Sequence, residues 1–136
     1  MNSYFHEVKY YETDKMGVTH HSNYIRWMEE ARLDFFKQIG FSYCEFEKQG
    51  IMSPVIRLNN IKYIKPSTFG DNIEIEVSIN KYNRLVVGIH YVMKKSGSII
   101  FEGDSEHCFI NQDGKMIRLS EENFKDFHNK LVELTK

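Results

Sequence analysis

One long helical stripe, followed by a change of period, confines this chain to a narrow set of folds. Tyr24, Met28, Ala31, Phe35 and Ile39 recur at helical spacing, while Arg26, Glu29, Glu30, Asp34 and Lys37 fill most of the remaining positions. The spacing predicts an amphipathic helix over 22–39, with Ser22 as its N-cap and Gly40 closing it in the left-handed conformation. From Ser53 onward the period is two, which predicts strands at 53–65, 72–82, 85–94 and 98–111. Turns rich in Gly, Pro, Asn and Ser separate them at 66–71, 82–84 and 95–97, and another follows at 112–114.

Within these segments the detail is uneven. The alternation slips at Asn59-Asn60, so a bulge or kink is expected there. In 72–82, Ile73, Ile75, Val77 and Ile79 face inward; in 85–94, Leu85, Val87, Ile89, Tyr91 and Met93 share a face. Gly103 and Ser105 are small residues on one face, as close approach of a helix would require. A further strand is expected at 4–11, and a short helix or tight loop at 41–52. After an extended piece at 115–118, Ser120 should cap a final helix carrying Phe124, Phe127, Leu131 and Leu134. Short turns make consecutive strands antiparallel hairpin neighbours, and one helix must bury its stripe against one face of the curled sheet. The expected class is α+β, as a single domain over 1–136: a five-stranded antiparallel sheet wrapped around one long helix, with a C-terminal helix.

Composition removes several functions. A formal net charge of −1 provides no basic field for nucleic acid or an acidic membrane. Cys44 and Cys108 are far apart and form no Cys-x-x-Cys pattern, as expected of free thiols in a reducing cytosol. The N-terminal MNSYFHEVKY has no apolar export core, and no apolar run approaches the roughly 18 residues of a membrane span. A cytoplasmic protein is expected.

The chemistry concentrates between Tyr10 and Arg32, YYETDKMGVTHHSNYIRWMEEAR. Asp14 and Gly17 lie in a loop that ends with His20 and His21 at the start of the helix. A carboxylate here can fold back to face the bare N–H groups of the first helical turn, which suit a negatively charged oxygen. That combination suits attack on a carbonyl. Asp14 can equally be a turn carboxylate, and His21 can act through its side chain or only through its backbone. Adjacent His20 and His21 diverge and have no third ligand at a recognised spacing, so no metal is expected. No G-x-S-x-G elbow or phosphate-cradling glycine loop is present, so neither serine-hydrolase chemistry nor an organic cofactor is indicated. Glu29 and Glu30, with Arg26 and Arg32 nearby, read as a solvated helix face. His6, His90, His107 and His128 are scattered and read as surface or satisfied interior histidines.

Tyr11-Glu12-Thr13-Asp14, Gly17-Val18, His21, Tyr24 and Ala31-Arg32, with Tyr63-x-x-Pro66 and Gly70-Asp71, resemble the hotdog-fold thioesterases of the 4-hydroxybenzoyl-CoA thioesterase type. The Tol–Pal-associated bacterial acyl-CoA thioesterases are the nearest in pattern, and they too have a histidine at the place of His21. The resemblance implies hydrolysis of acyl-CoA or acyl-carrier-protein thioesters. Asp14 would be nucleophile or general base, and the His21 backbone N–H would polarise the carbonyl. Gly17, Val18 and Tyr24 would lie against substrate. Lys65 and Arg84 could meet the phosphates of coenzyme A, or serve solubility alone. A second lineage of the fold uses a helix glutamate, which makes Glu30 a rival nucleophile. Glu12, where Asp is common, and Lys15-Met16 in place of smaller residues depart from the pattern. Sheets of the family join edge to edge, implying a homodimer or homotetramer. A non-catalytic acyl-CoA sensor and a hotdog hydratase or dehydratase remain the alternatives.

Overall fold

The computed structural model describes residues 2–136, apart from the side chain of Glu122. Strand β1 (Tyr4–Glu7) leads through a 3-10 turn at Tyr10–Glu12 to helix α1 (Ser22–Gln38) and the short helix α2 (Tyr43–Lys48). Strands β2 (Val55–Tyr63), β3 (Asn72–Tyr82), β4 (Val87–Lys95) and β5 (Ser98–His107) follow, then helix α3 (Lys125–Leu134). All five strands form one antiparallel sheet in the order β1-β3-β4-β5-β2. The expected α+β architecture is present, with one difference in connectivity. Residues 64–71 form no hairpin: β2 pairs with β5 at one edge, and the chain crosses to β3 beside β1. A turn composition between two strands does not decide whether they pair.

Helix α1 lies against β1 and β3. Its stripe is buried throughout, and Trp27 and Phe36 widen it. Each such large side chain contributes about 1.5–3 kcal/mol on leaving water. The inward faces of β3 and β4, including Ile73, Ile75, Ile89, Tyr91 and Met93, supply the opposing wall. Tyr24 stacks on Phe101 with centroids 5.2 Å apart. Phe36, Phe41, Phe46 and Phe109 surround Phe127, so α3 closes the far end of the core.

Several boundaries moved for local reasons. The strand expected at 4–11 stops at Glu7, because the Glu12 carboxylate draws the chain into a tight turn by accepting from the Lys9 N–H at 2.8 Å. Ser22 does not cap α1; it is the first helical residue, and His21 takes the cap position without a side-chain bond to the helix. Gly40 has φ +92 and closes α1 as expected. The kink at Asn59-Asn60 is also there, as a register shift with Asn60 at φ 55. Leu85 falls outside β4, since the Asn83 side chain holds the Leu85 and Val86 N–H groups in the turn. Strand β5 ends at His107, short of residue 111. Gly103 admits no helix: a Cβ there would come within 2.7 Å of Ile61 Cδ1 on β2. Ser120 is not the cap of α3, which begins after a 3-10 turn with Phe124 at its cap position.

Candidate active site

The loop between Glu12 and His21 is held from both sides. Asp14 N–H donates to the Val18 carbonyl at 2.8 Å, and Gly17 N–H donates back to the Asp14 carbonyl at 3.0 Å. Gly17 has φ +83, a conformation that favours glycine, so the turn tightens there. The segment after β2 clamps this turn: Thr19 N–H donates to the Ser67 carbonyl, and the Thr68 hydroxyl donates to the Gly17 carbonyl.

Beneath the loop, Glu12 is the hub. It is 6% exposed, and its carboxylate accepts from Trp27 Nε1 and Lys9 N–H and contacts His6 Nε2, each at 2.8 Å. Its carbonyl accepts from His20 N–H and the Asn23 side-chain amide. Burial alone would raise its pKa; the bonds from Lys9, His6 and Trp27 outweigh that and hold it below the ordinary carboxylate value. His6, a scattered histidine by its sequence position, is buried in this network and also meets Glu30 Oε2 at 3.2 Å.

Asp14 stands above this hub, half-buried on the wall of a cavity of about 520 Å³. His20, Ser22, Asn23, Arg26 and Glu30 line the same cavity. Asp14 Oδ1 accepts from Met16 N–H at 2.8 Å, and Oδ2 has no partner among the described residues. Carboxylate and first helical turn are thus brought to one space. Arg26 reaches back to Ser22 Oγ at 3.1 Å and Asn23 Oδ1 at 3.0 Å, placing a positive charge beside the helix start.

The remaining site candidates divide. The exposed His21 packs its ring against His20, and the residue, backbone included, lines neither this cavity nor the next; its carbonyl accepts from the Tyr63 hydroxyl at 3.2 Å. Its N–H donates to no group among the described residues. Gly17 and Val18 shape the Asp14 turn. Tyr24 belongs to the core, 4% exposed, with its hydroxyl bonded to Ser67 Oγ at 2.8 Å. Lys65 is exposed just before the clamping segment. Arg84 lies beyond the opposite end of β3, which spans roughly 35 Å, so one chain does not bring it to Asp14. Sequence reasoning missed His20, Asn23 and Arg26. The polar face Asn23, Arg26 and Glu30 at helical spacing was the available signal. Among the described residues no three His, Cys, Asp or Glu side chains cluster as metal ligands.

A second cavity of about 430 Å³ opens on the other flank of α1, sharing Ser22 and Arg26 with the first. Ile25, Met28, Val55 and Leu58 make it largely apolar. Glu29 faces this space and Glu30 the other, so two adjacent glutamates part company. Arg32, expected on a solvated face, is 4% exposed and lines this second cavity with His107. The helix turns by about 100° per residue, which carries Arg32 round to the sheet.

Comparison with known proteins adds three findings. The model of the thioesterase-like superfamily matches residues 8–133. A putative acyl-CoA thioesterase of Bacillus subtilis is 35% identical over 124 residues, 90% of this chain and 88% of that one. The structure of a DHNA-CoA thioesterase from Staphylococcus aureus superposes with a TM-score of 0.92 at 38% identity, covering 97% of this chain and 89% of the other. No helix among the described residues is long and apolar enough to cross a membrane.

Proposed function

The chain belongs to the thioesterase-like superfamily, and on that premise we propose that it hydrolyses acyl-CoA thioesters through Asp14. The observation that carries the reading is a carboxylate oxygen of Asp14, without a partner among the described residues, in the same cavity as Ser22 and Asn23 of the first turn of α1. In the reaction, Asp14 attacks the thioester carbonyl or removes a proton from the attacking water. The carbonyl oxygen becomes an oxyanion held by N–H groups at the helix start, with that of His21 foremost. One such donor is worth about 3–4 kcal/mol in a comparable setting. Collapse expels the thiolate of coenzyme A, which takes up a proton; with water as the attacking group the free acid forms directly, and with Asp14 as nucleophile the resulting acyl–aspartyl anhydride is then hydrolysed by water, so that either way the products are the free acid and the thiol. A thiolate leaves readily, so no strong general acid is required.

The finer assignments are proposals too. The His21 match favours the Tol–Pal-associated subgroup. Lys65, beside the segment that clamps the loop, is the better placed of the two cations to meet a coenzyme A phosphate. The exposed Val55, Ile56 and Leu58 on edge strand β2 support a homodimer or homotetramer formed through that edge, and the free cysteines support a cytoplasmic setting. Acyl-carrier protein is the alternative carrier.

Thiol release from acyl-CoA substrates of varied acyl group tests the reading, with Asp14→Asn as control. Turnover by the native chain and its loss in the variant are expected. Binding of acyl-CoA without thiol release would mean a sensor; a new double bond or hydroxyl on the acyl chain would mean a hydratase or dehydratase.

A further inference from the structure

The ring of His20, exposed on the wall of the Asp14 cavity, is fixed at one nitrogen and open at the other. Ser22 N–H donates to His20 Nδ1 at 3.3 Å, and Ser22 Oγ lies 2.8 Å from the same nitrogen. A backbone N–H can only donate, so Nδ1 presents a lone pair and the single ring proton sits on Nε2. The Ser22 hydroxyl then donates to Nδ1 as well, and it accepts in turn from Arg26 Nη1 at 3.1 Å. On its face the ring packs against His21, with centroids 4.2 Å apart. The main chain is held too, since His20 N–H donates to the Glu12 carbonyl at 2.8 Å. Nε2 has no partner among the described residues.

This arrangement decides what the ring can do. With its lone pair engaged at Nδ1 and a proton on Nε2, it is no base for the attacking water; it offers an N–H donor. Asp14, with Oδ2 open on the same wall, is the complementary group. The first-turn N–H groups that border this cavity are already engaged: that of Ser22 by His20 Nδ1, that of Asn23 by the His20 carbonyl at 3.0 Å. His21 N–H is open, but its residue lines neither cavity. A carbonyl brought up to Asp14 therefore meets His20 Nε2–H as an open donor of the cavity itself. The Arg26 charge, relayed through the Ser22 hydroxyl, strengthens that donor.

Building on the thioester-hydrolase reading, we propose that His20 is a further catalytic residue, its Nε2–H donating to the thioester carbonyl oxygen beside the His21 N–H. The bond tightens as that oxygen gains negative charge, and the proton stays on Nε2 throughout. The oxygen is the target because the sulfur leaves readily as thiolate and is the weaker acceptor. Ser22 and Arg26 orient the ring and are positioning residues.

Steady-state hydrolysis of benzoyl-CoA and hexanoyl-CoA tests this. His20→Ala should lower kcat by about 10²-fold, the worth of one such donor, while KM changes by less than about threefold. His20→Gln should recover about tenfold of that loss, because its amide can accept from Ser22 and donate to the substrate. Ser22→Ala should lower kcat by about threefold or more in the native chain and have no further effect in His20→Ala. A kcat within about threefold of native in His20→Ala, or a loss confined to KM, overturns the proposal. The second readout is the carbonyl stretch of benzoyl-CoA bound to Asp14→Asn, in which hydrolysis is slow, taken from isotope-edited infrared difference spectra. It should lie below its value in water, and adding His20→Ala should raise it. A stretch unmoved by His20→Ala overturns the proposal even where kcat falls, since the loss then comes from the loop. Should the native chain hydrolyse no thioester, that reading fails by itself, and the same spectra on the native chain decide the contact. A stretch raised by His20→Ala then supports it; an unmoved stretch, or no binding of benzoyl-CoA, overturns it.

Discussion

The two cavities flanking the first turns of α1 share Ser22 and Arg26 and are otherwise opposites. Around Asp14 the polar groups are numerous, and most are tied into hydrogen bonds that hold the loop. On the other flank the lining is mostly apolar, Tyr91, Ser105 and His107 are joined by hydrogen bonds, and Arg32 Nη1 is enclosed without a partner among the described residues. Satisfied groups hold a loop in place, and on the reading proposed above the reaction belongs to the Asp14 side of the helix.

The largest test of this division is chemical. Asp14→Asn should lower kcat by about 10²–10⁴-fold on every thioester while leaving acyl-CoA binding in place. Glu30→Gln, in the same cavity, should be mild in the same steady-state assay. Near-normal turnover in Asp14→Asn beside an inactive Glu30→Gln would move the nucleophile onto the helix.

Next is the hub beneath the loop. Glu12→Ala strands Trp27 Nε1, Lys9 N–H and His6 together and should cost about 3 kcal/mol in denaturant unfolding. Because the Glu12 pKa is depressed on folding, its contribution is present above the ordinary value of 4.5 and lost as pH falls through the folded value. Glu12→Gln should remove that acid step.

His107 should write its own signature on the other flank. Burial, and after it the charge of Arg32, hold its ring neutral down to about 3, whereas the unfolded ring takes a proton below about 6.5. The unfolded state therefore binds more protons between these values, and stability should rise with pH across that window. His107→Leu should flatten the slope between pH 5 and 6.5, roughly the range above Glu12's titration and below the imidazole's ordinary value. A slope unchanged in that variant would place the proton uptake elsewhere.

The smallest effect belongs to His21→Ala. The backbone N–H survives the substitution and the ring lies outside both cavities, so kcat should fall by less than about tenfold. A loss as large as that of Asp14→Asn would give the ring a direct role.

Much of this was legible beforehand, and the failures share a cause. The stripe on α1, the closure at Gly40, the inward faces of β3 and β4 and the kink at Asn59-Asn60 all arise from local periodicity or backbone freedom. Asp14 was legible because its loop and the helix start are neighbours in the chain. Glu12 registered only as a departure from a pattern, since its partners His6, Lys9 and Trp27 meet it only once the strand, turn and helix are folded together.

What the sequence determined by itself was therefore the inventory: one long amphipathic helix, strands of period two, and a carboxylate just ahead of the helix start. These follow from repeats and contacts within a few residues. Tertiary structure alone decided that β2 crosses to the far edge of the sheet, that Glu29 and Glu30 face different cavities, and that Arg32 is enclosed beside His107. Arg32 and His107 come from segments far apart in the chain, helix α1 and strand β5. Whether a charge is solvated or buried depends on what the rest of the fold lays over it, and no local pattern carries that information.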